Sequence, residues 1–413
     1  MSERASKSMS QRLREAPTER ASSPSAAAGV TVPQGFRAAG ATAGLKPSGR
    51  PDVALVVNDG PAHAAAGVFT RNKVKAAPVL WSQEVLTTGR LRAVVLNSGG
   101  ANACTGTEGF QTAHATAERV GALIGCGAIE VGVCSTGIIG QQLPRGRLLS
   151  GGDAAATCLA SDADAGLAAA TAVMTTDTVP KQAAITDAAG WSVGGFAKGA
   201  GMIAPSMATM LAVLTTDAVV DAPVLDDALR AAVRVSFDRL DIDGSMSTND
   251  TVLALASGAS GVAVDPVAFT EALIGVCRDL AVQLQADAEG VTKRATIRVV
   301  GAATEDDAVV VARTIARDSL VKTALFGSDP NWGRVAAAAG YADASVDPNR
   351  LDVAINGALL CRGGVAAGDR STADLSGHEI LVEVDLGLGT GAAEILTTDL
   401  SHGYVEENSA YST

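Results

Sequence analysis

The chain has 413 residues, 47% hydrophobic and 18% charged, with a formal net charge of −12. That length and core-rich composition fit two domains or one large layered domain. The acidic balance argues against a nucleic-acid partner, which asks for a basic face, and no apolar run approaches the ~18 residues of a membrane span.

Aromatic residues make up 3% of the chain against 45 glycines, so packing has to rest on small and branched side chains. Six cysteines, Cys104, Cys126, Cys134, Cys158, Cys277 and Cys361, are dispersed without a CxxC pair. They read as reduced, mostly buried thiols of a cytoplasmic protein, and no Cys/His group has the spacing of a metal site. Residues 1–28 are rich in Ser, Arg, Glu and Ala and contain Pro17 and Pro24. They read as a disordered tail, since no apolar core of a secretory signal is present.

From Gly29 the pattern is strand-rich. Residues 53–57 and 93–96 are short apolar runs closed by Asn58-Asp59-Gly60 and Asn97-Ser98-Gly99-Gly100, as buried strands are. Residues 107–124 carry apolar positions at helical spacing. Residues 131–133 lead into Ser135-Thr136-Gly137. A strand end followed by Thr-Gly offers a hydroxyl and a glycine N–H, the parts of an oxyanion hole; an ordinary strand-to-loop turn suits the same residues. Cys134 lacks a histidine partner and reads as packing. The alanine-rich run 153–172 is expected to be helical and precedes Met174-Thr175-Thr176-Asp177-Thr178.

A strand at 191–196 enters KGAGMIAPSMATMLAVLTTD, residues 198–217. The glycines here do not make a phosphate loop, because Lys198 is followed by Gly199. Thr209 opens a buried strand after a loop of small residues. Breaking the Ala208–Thr209 bond would place the Thr209 hydroxyl beside its own α-amine, which can serve as general base. Such an amine titrates at about 7.7–8.0, and a neighbouring Lys198 would lower it further. This chemistry needs no histidine, and His63, His114, His378 and His402 all lie far from Thr209 in sequence. Thr209 also reads simply as the first residue of a strand.

Residues 224–237 read as a helix. The polar turn with Asp241, Asp243 and Thr248-Asn249-Asp250 lacks the rest of a calcium loop and reads as scaffolding. Asp265-Pro266 starts a helix well, with an apolar face from Val267 to Leu284. Glu289, near its end, is unfavourably placed against the helix dipole. A further helix is expected over 304–324, strands at 295–300, 351–354, 380–384 and 393–396, and a glycine hairpin at Gly387-Leu388-Gly389-Thr390-Gly391-Ala392.

The stretch at 198–217 resembles the cleavage segment of the ornithine acetyltransferase (glutamate N-acetyltransferase) family of arginine biosynthesis. Gly35-Phe36-Arg37-Ala38-Ala39-Gly40, Asn58-Asp59-Gly60-Pro61, Asn97-Ser98-Gly99-Gly100-Ala101-Asn102-Ala103, Ser135-Thr136-Gly137, Met174-Thr175-Thr176-Asp177-Thr178 and Asp329-Pro330-Asn331-Trp332-Gly333-Arg334 resemble family segments too, in order. The resemblance runs from about Gly29 to Thr413.

It implies an α/β fold, a layered αββα sandwich of N-terminal-nucleophile-like type, with a smaller C-terminal α/β portion at about 300–413. It implies self-cleavage between Ala208 and Thr209 into chains 1–208 and 209–413, associated as a heterotetramer. Thr209 would be the nucleophile, Thr136 and Gly137 the oxyanion hole, and Thr176 (or Thr175), Lys198, Thr209, Glu289, Asn408 and Thr413 the substrate contacts. The implied reaction moves acetyl from N-acetylornithine to glutamate without a cofactor, with acetyl-CoA as a possible second donor. The alternatives are an N-terminal-nucleophile amidohydrolase or aminopeptidase using water, and a non-enzymatic glycine-rich assembly protein.

Overall fold

The computed structural model describes residues 29–204 and 210–410. These fall into two compact units, one over residues 29–289 and one over Gly290–Asn408.

The first unit is built on nine strands: β1 (Phe36–Ala41), β2 (Val53–Asn58), β3 (Ala64–Phe69), β4 (Ala93–Asn97), β5 (Val131–Ser135), β6 (Lys181–Thr186), β7 (Ser192–Lys198), β8 (Leu211–Thr216) and β9 (Thr251–Ala256). They form one sheet in the order β1-β2-β4-β5 and a second in the order β3-β9-β8-β7-β6. Within them β4 runs parallel to β5 and β8 parallel to β9; the other pairs are antiparallel. Every residue of β2, β4, β5, β7, β8 and β9 is buried. Strands covered on both faces have no polar side to present, so their sequences are continuous apolar runs instead of alternating ones.

The two sheets share one core, in which Leu55, Val95 and Val133 of the first meet Phe196, Val213 and Leu253 of the second. A Cβ added at Gly132 on β5 would lie 3.2 Å from Leu253 on β9. The helices are α1 (Ala77–Val85), α2 (Gly106–Ile124), α3 (Arg145–Thr157), α4 (Ala163–Ala172), α5 (Ala222–Arg234) and α6 (Pro266–Ala286). α3 and α4 cover the outer face of the first sheet: a Cβ at Gly151 would come within 2.8 Å of Val53, and one at Gly40 within 2.2 Å of the Ala168 carbonyl oxygen. α5 and α6 cover the second sheet, where the Phe269 ring lies 5.8 Å from Trp191. The layers are therefore helix, sheet, sheet, helix, the expected αββα sandwich.

Aspartates set the helix starts. Asp221, Asp265 and Asp162 each accept the N–H of the third residue on, at 3.0, 3.0 and 2.9 Å, satisfying donors that have no partner inside the helix. Asp162 also corrects the expectation of a helix through 153–172. The run breaks after Thr157, and Ala160 exchanges backbone hydrogen bonds with Ala38 on β1 at 2.8 and 3.1 Å before α4 begins.

The second unit holds β10 (Arg294–Ala302), β11 (Asp352–Ile355), β12 (Ala358–Arg362), β13 (Val365–Ala366), β14 (Glu379–Asp385) and β15 (Gly391–Thr398), ordered β13-β12-β11-β14-β10-β15. Its helices are α7 (Glu305–Arg317), α8 (Ser319–Phe326), α9 (Trp332–Gly340) and α10 (His402–Ala410). The apolar core joins Ile297, Val299 and Val382 to Val311 and Ile315 of α7. Two expectations are corrected here. The helix expected over 304–324 is two, because Asp318 accepts the Val321 N–H at 2.8 Å and caps a new start. The glycine hairpin is absent, because β10 lies between β14 and β15; the Gly387–Gly391 loop wraps the end of β10, with Leu388 and Gly389 both donating to the Gly301 carbonyl at 2.7 and 2.9 Å.

All six cysteines are free thiols, and no described helix is long and apolar enough to cross a membrane. Replacing Gly40 with Ala drives a methyl into the α4 backbone and should cost at least about 2 kcal/mol, read as a lowered urea midpoint; an unchanged midpoint would contradict the close packing of α4 on β1.

Candidate active site

The site is assembled at the ends of central strands. β7 ends in Lys198, whose side chain is 1% exposed. Its Nζ donates to the Thr136 hydroxyl at 3.2 Å, so a cation on one sheet meets the turn that follows β5 on the other. That turn is fixed by its backbone: Thr136 N donates to Asn97 O at 2.9 Å and Gly100 N donates to Thr136 O at 3.0 Å. Gly137 has φ +129°, and a Cβ there would lie 2.5 Å from Gly100 N; the position needs glycine both for its conformation and for its clearance. Asn249 supports the same turn, its amide donating to Ala101 O at 2.6 Å and Ser135 O at 2.8 Å.

A buried lysine has to be answered by carboxylates. Burial lowers the Lys198 pKa; Asp177, Asp250 and Glu289 oppose the shift and Lys181 reinforces it. Asp177 is the central acceptor. Its Oδ1 takes the Gly199 N–H and the Lys181 ammonium, each at 2.7 Å, and its Oδ2 takes the Thr175 N–H at 3.0 Å. Burial alone would raise its pKa, but the charges of Lys198 and Lys181 and the hydrogen bonds outweigh it and hold the carboxyl down at about 2. Lys181 continues to Asp287 at 2.6 Å, just past α6, and Asp287 accepts the Thr178 N–H at 3.0 Å. Thr175 and Thr176 are half-buried between these anchors.

Glu289 is 6% exposed. α6 ends at Ala286, so Glu289 sits in the turn beyond it, and the reading of a helix-end carboxylate is corrected. Its N–H donates to Ala200 O at 2.9 Å, and its carboxylate lies against Gly201, where a Cβ would be 2.0 Å from Oε2. Lys198 thus reaches the Thr136 turn, Asp177 joins Lys181 to the chain just after Lys198, and Lys181 continues to Asp287; Gly137 and Thr176 are the sequence neighbours of Thr136 and Asp177, and Glu289 lies against Gly201.

Ala208, Thr209 and Thr413 lie outside the described residues. Asn408 is on the exposed α10, its amide donating to Tyr404 O at 3.0 Å. Two carboxyls missed as site residues hold the chain on either side of 205–209. Asp243 accepts the Met202 and Ile203 N–H groups at 2.7 and 3.0 Å, and Asp250 accepts the Met210 N–H at 3.1 Å. The signal in the sequence was a pair of acids shortly before β9, the strand that pairs parallel with β8.

An αββα sandwich with a buried lysine, a Thr-Gly turn and carboxyls at its strand ends is the frame of a layered α/β enzyme. The ArgJ family model matches residues 37–413. The chain belongs to the ArgJ family, whose members are bifunctional enzymes of arginine biosynthesis. The arginine biosynthesis bifunctional protein ArgJ of Mycolicibacterium paratuberculosis is 63% identical over 390 residues, 93% of this chain and 96% of that protein. The same protein of Mycobacterium tuberculosis is 62% identical over 392 residues, 94% and 97% of the two chains. A crystal structure of ornithine acetyltransferase from Mycobacterium tuberculosis, complexed with ornithine, is 60% identical over 45% of this chain and 99% of that chain, with a TM-score of 0.44.

The folded pKa of Asp177 lies below its ordinary value of 3.8, so the stability it contributes is present above about pH 4 and is lost as pH falls towards about 2. Urea unfolding followed from about pH 5 downwards should show the wild type losing roughly 2 kcal/mol that Asp177→Asn does not lose; parallel curves for the two would contradict the ionised, paired state.

Proposed function

We propose that this ArgJ-family enzyme transfers acetyl from N2-acetylornithine to glutamate through an acetyl ester on Thr209, after cutting itself between Ala208 and Thr209. The observation that carries the reading is the Lys198–Thr136 contact beside Gly137, at the end of the strand that leads into the cleavage segment.

In maturation the Thr209 hydroxyl attacks the Ala208 carbonyl. The C–N bond breaks, the nitrogen takes up the proton lost by the hydroxyl, and water then cleaves the ester to give residues 1–208 and 209–413. In turnover the Thr209 amine removes the hydroxyl proton, Oγ bonds to the acetyl carbon, and the tetrahedral oxyanion is met by the Thr136 hydroxyl and the Gly137 N–H. The backbone of that turn is held through the Thr136 N–H and carbonyl. The amine returns the proton to departing ornithine, and glutamate takes the acetyl group by the reverse sequence. Donor and product are both simple amides, so the exchange needs no energy-rich cofactor. Lys198 pairs with a substrate carboxylate, and Glu289 with a substrate amine. Thr176 (with Thr175 as its alternative), Asn408 and Thr413 complete the substrate contacts. Acetyl-CoA serves as a second donor in the bifunctional activity. The two products of cleavage stay together as a heterotetramer of two copies of each, in the cytoplasm.

Labelled acetylornithine given without glutamate should leave label on the 209–413 chain, and glutamate should discharge it as acetylglutamate with ping-pong kinetics. Release as free acetate would instead support the hydrolase. Lys198→Met should raise KM for both amino-acid substrates by about tenfold or more; unchanged KM values would remove Lys198 from carboxylate binding.

A further inference from the structure

Asp250 is fully buried at the head of β9, the strand that pairs in parallel with β8. Its Oδ1 accepts the Met210 N–H at 3.1 Å, and its own carbonyl accepts Thr70 N at 3.0 Å. The amide it holds is the one that joins Thr209 to Met210. Its other oxygen, Oδ2, is buried without a hydrogen-bond partner.

Such a carboxyl has two possible states. As a carboxylate it would hold a charge in a fully buried place, and that costs far more than a neutral acid there. The groups that face it are Lys198 from β7, which favours the charge, and the Thr70 and Ser247 hydroxyls, which also favour it. Burial outweighs them all and raises the pKa well above the carboxylate range. The neutral state has a chemical consequence. A negative charge one residue from the Thr209 amine would stabilise its ammonium form, and an ammonium cannot act as base. An uncharged carboxyl fixes the backbone beside the nucleophile without that penalty.

We propose that Asp250 is a positioning residue for Thr209, a hydrogen-bonding clamp on the amide that follows the nucleophile. This rests on the reading of Thr209 as the nucleophile. Strand β8 then begins from a fixed point, the Met210 amide next in sequence to the nucleophile. Misplacement of a reacting group by about 1 Å costs on the order of 100-fold in rate, so loss of the clamp is read in kcat more than in KM.

The experiment compares wild type, Thr209→Ala, Asp250→Ala, Asp250→Asn and Asp250→Glu. Denaturing intact mass follows the appearance of the 1–208 and 209–413 chains with time, and the cleaved fraction is assayed with acetylornithine and glutamate. Asp250→Ala should cleave at least about tenfold more slowly, with kcat reduced at least about tenfold and KM within about twofold. Asp250→Asn, which reproduces the acceptor and shape of the neutral acid, should restore cleavage and kcat to within about threefold of wild type. Asp250→Glu keeps the acid but displaces it by one methylene, and should lose kcat; it decides the matter if Asp250→Ala does not fold. Wild-type kcat in Asp250→Ala or Asp250→Glu would overturn the proposal, as would a loss in Asp250→Asn equal to that in Asp250→Ala, or a change confined to KM. If wild type and Thr209→Ala both remain uncut, the reading of Thr209 fails first and takes this one with it.

Discussion

A lysine ammonium 1% exposed to solvent between two apolar sheets is the constraint on which the rest of the site depends. Unanswered, it would lose its charge or pull the sheets apart. The answer is Asp177, which binds both Lys181 and the Gly199 backbone N–H and thereby fixes the chain immediately after Lys198. Asp287 shares Lys181, which ties the end of α6 into the same network and brings Glu289 against Gly201. One charge problem thus gathers four chain segments: 175–181, 198–201, 287–289 and, through the Thr136 hydroxyl, the turn after β5.

The sandwich makes that gathering possible. Because both central sheets are buried on both faces, their strand ends are the places where polar groups can emerge from the core. β5 ends at the Thr136 turn, β7 at Lys198, and β9 begins just after Asp250. Asp243 and Asp250 then hold the two sides of the segment 205–209 through backbone N–H groups. Small residues let the layers approach: Gly132 admits Leu253 from the facing sheet, and Gly137 admits the Gly99-Gly100 backbone.

Much of this was legible in the sequence. The buried strands stood out as short apolar runs closed by Asn, Asp and Gly, and the Thr136-Gly137 turn and Lys198 were recognisable as chemistry at strand ends. The helix breaks at Asp162 and Asp318 were hidden, since an aspartate that caps a new helix looks like one more polar position in a continuous periodic run. The Gly387–Gly391 loop resembled a hairpin because local sequence does not reveal that β10 inserts between the flanking strands. Asp177, Asp243 and Asp250 were hidden for a different reason: their roles depend on backbone N–H groups 22 to 41 residues away, and hydrogen bonds of that span leave no periodicity to read. The resemblance to the ornithine acetyltransferases supplied Thr176 and the substrate role of Glu289, which the helix dipole had marked only as a misplaced carboxylate.

The central claim is that Thr209 becomes a chain terminus and then the nucleophile. Its most direct test is intact mass under denaturing conditions, measured on freshly purified wild type beside Thr209→Ala. Two fragments meeting between Ala208 and Thr209 in the wild type, with one unbroken chain in the variant, is the predicted result. A single uncut wild-type chain that still transfers acetyl from acetylornithine to glutamate would contradict it, since no free Thr209 amine would then exist to act as base.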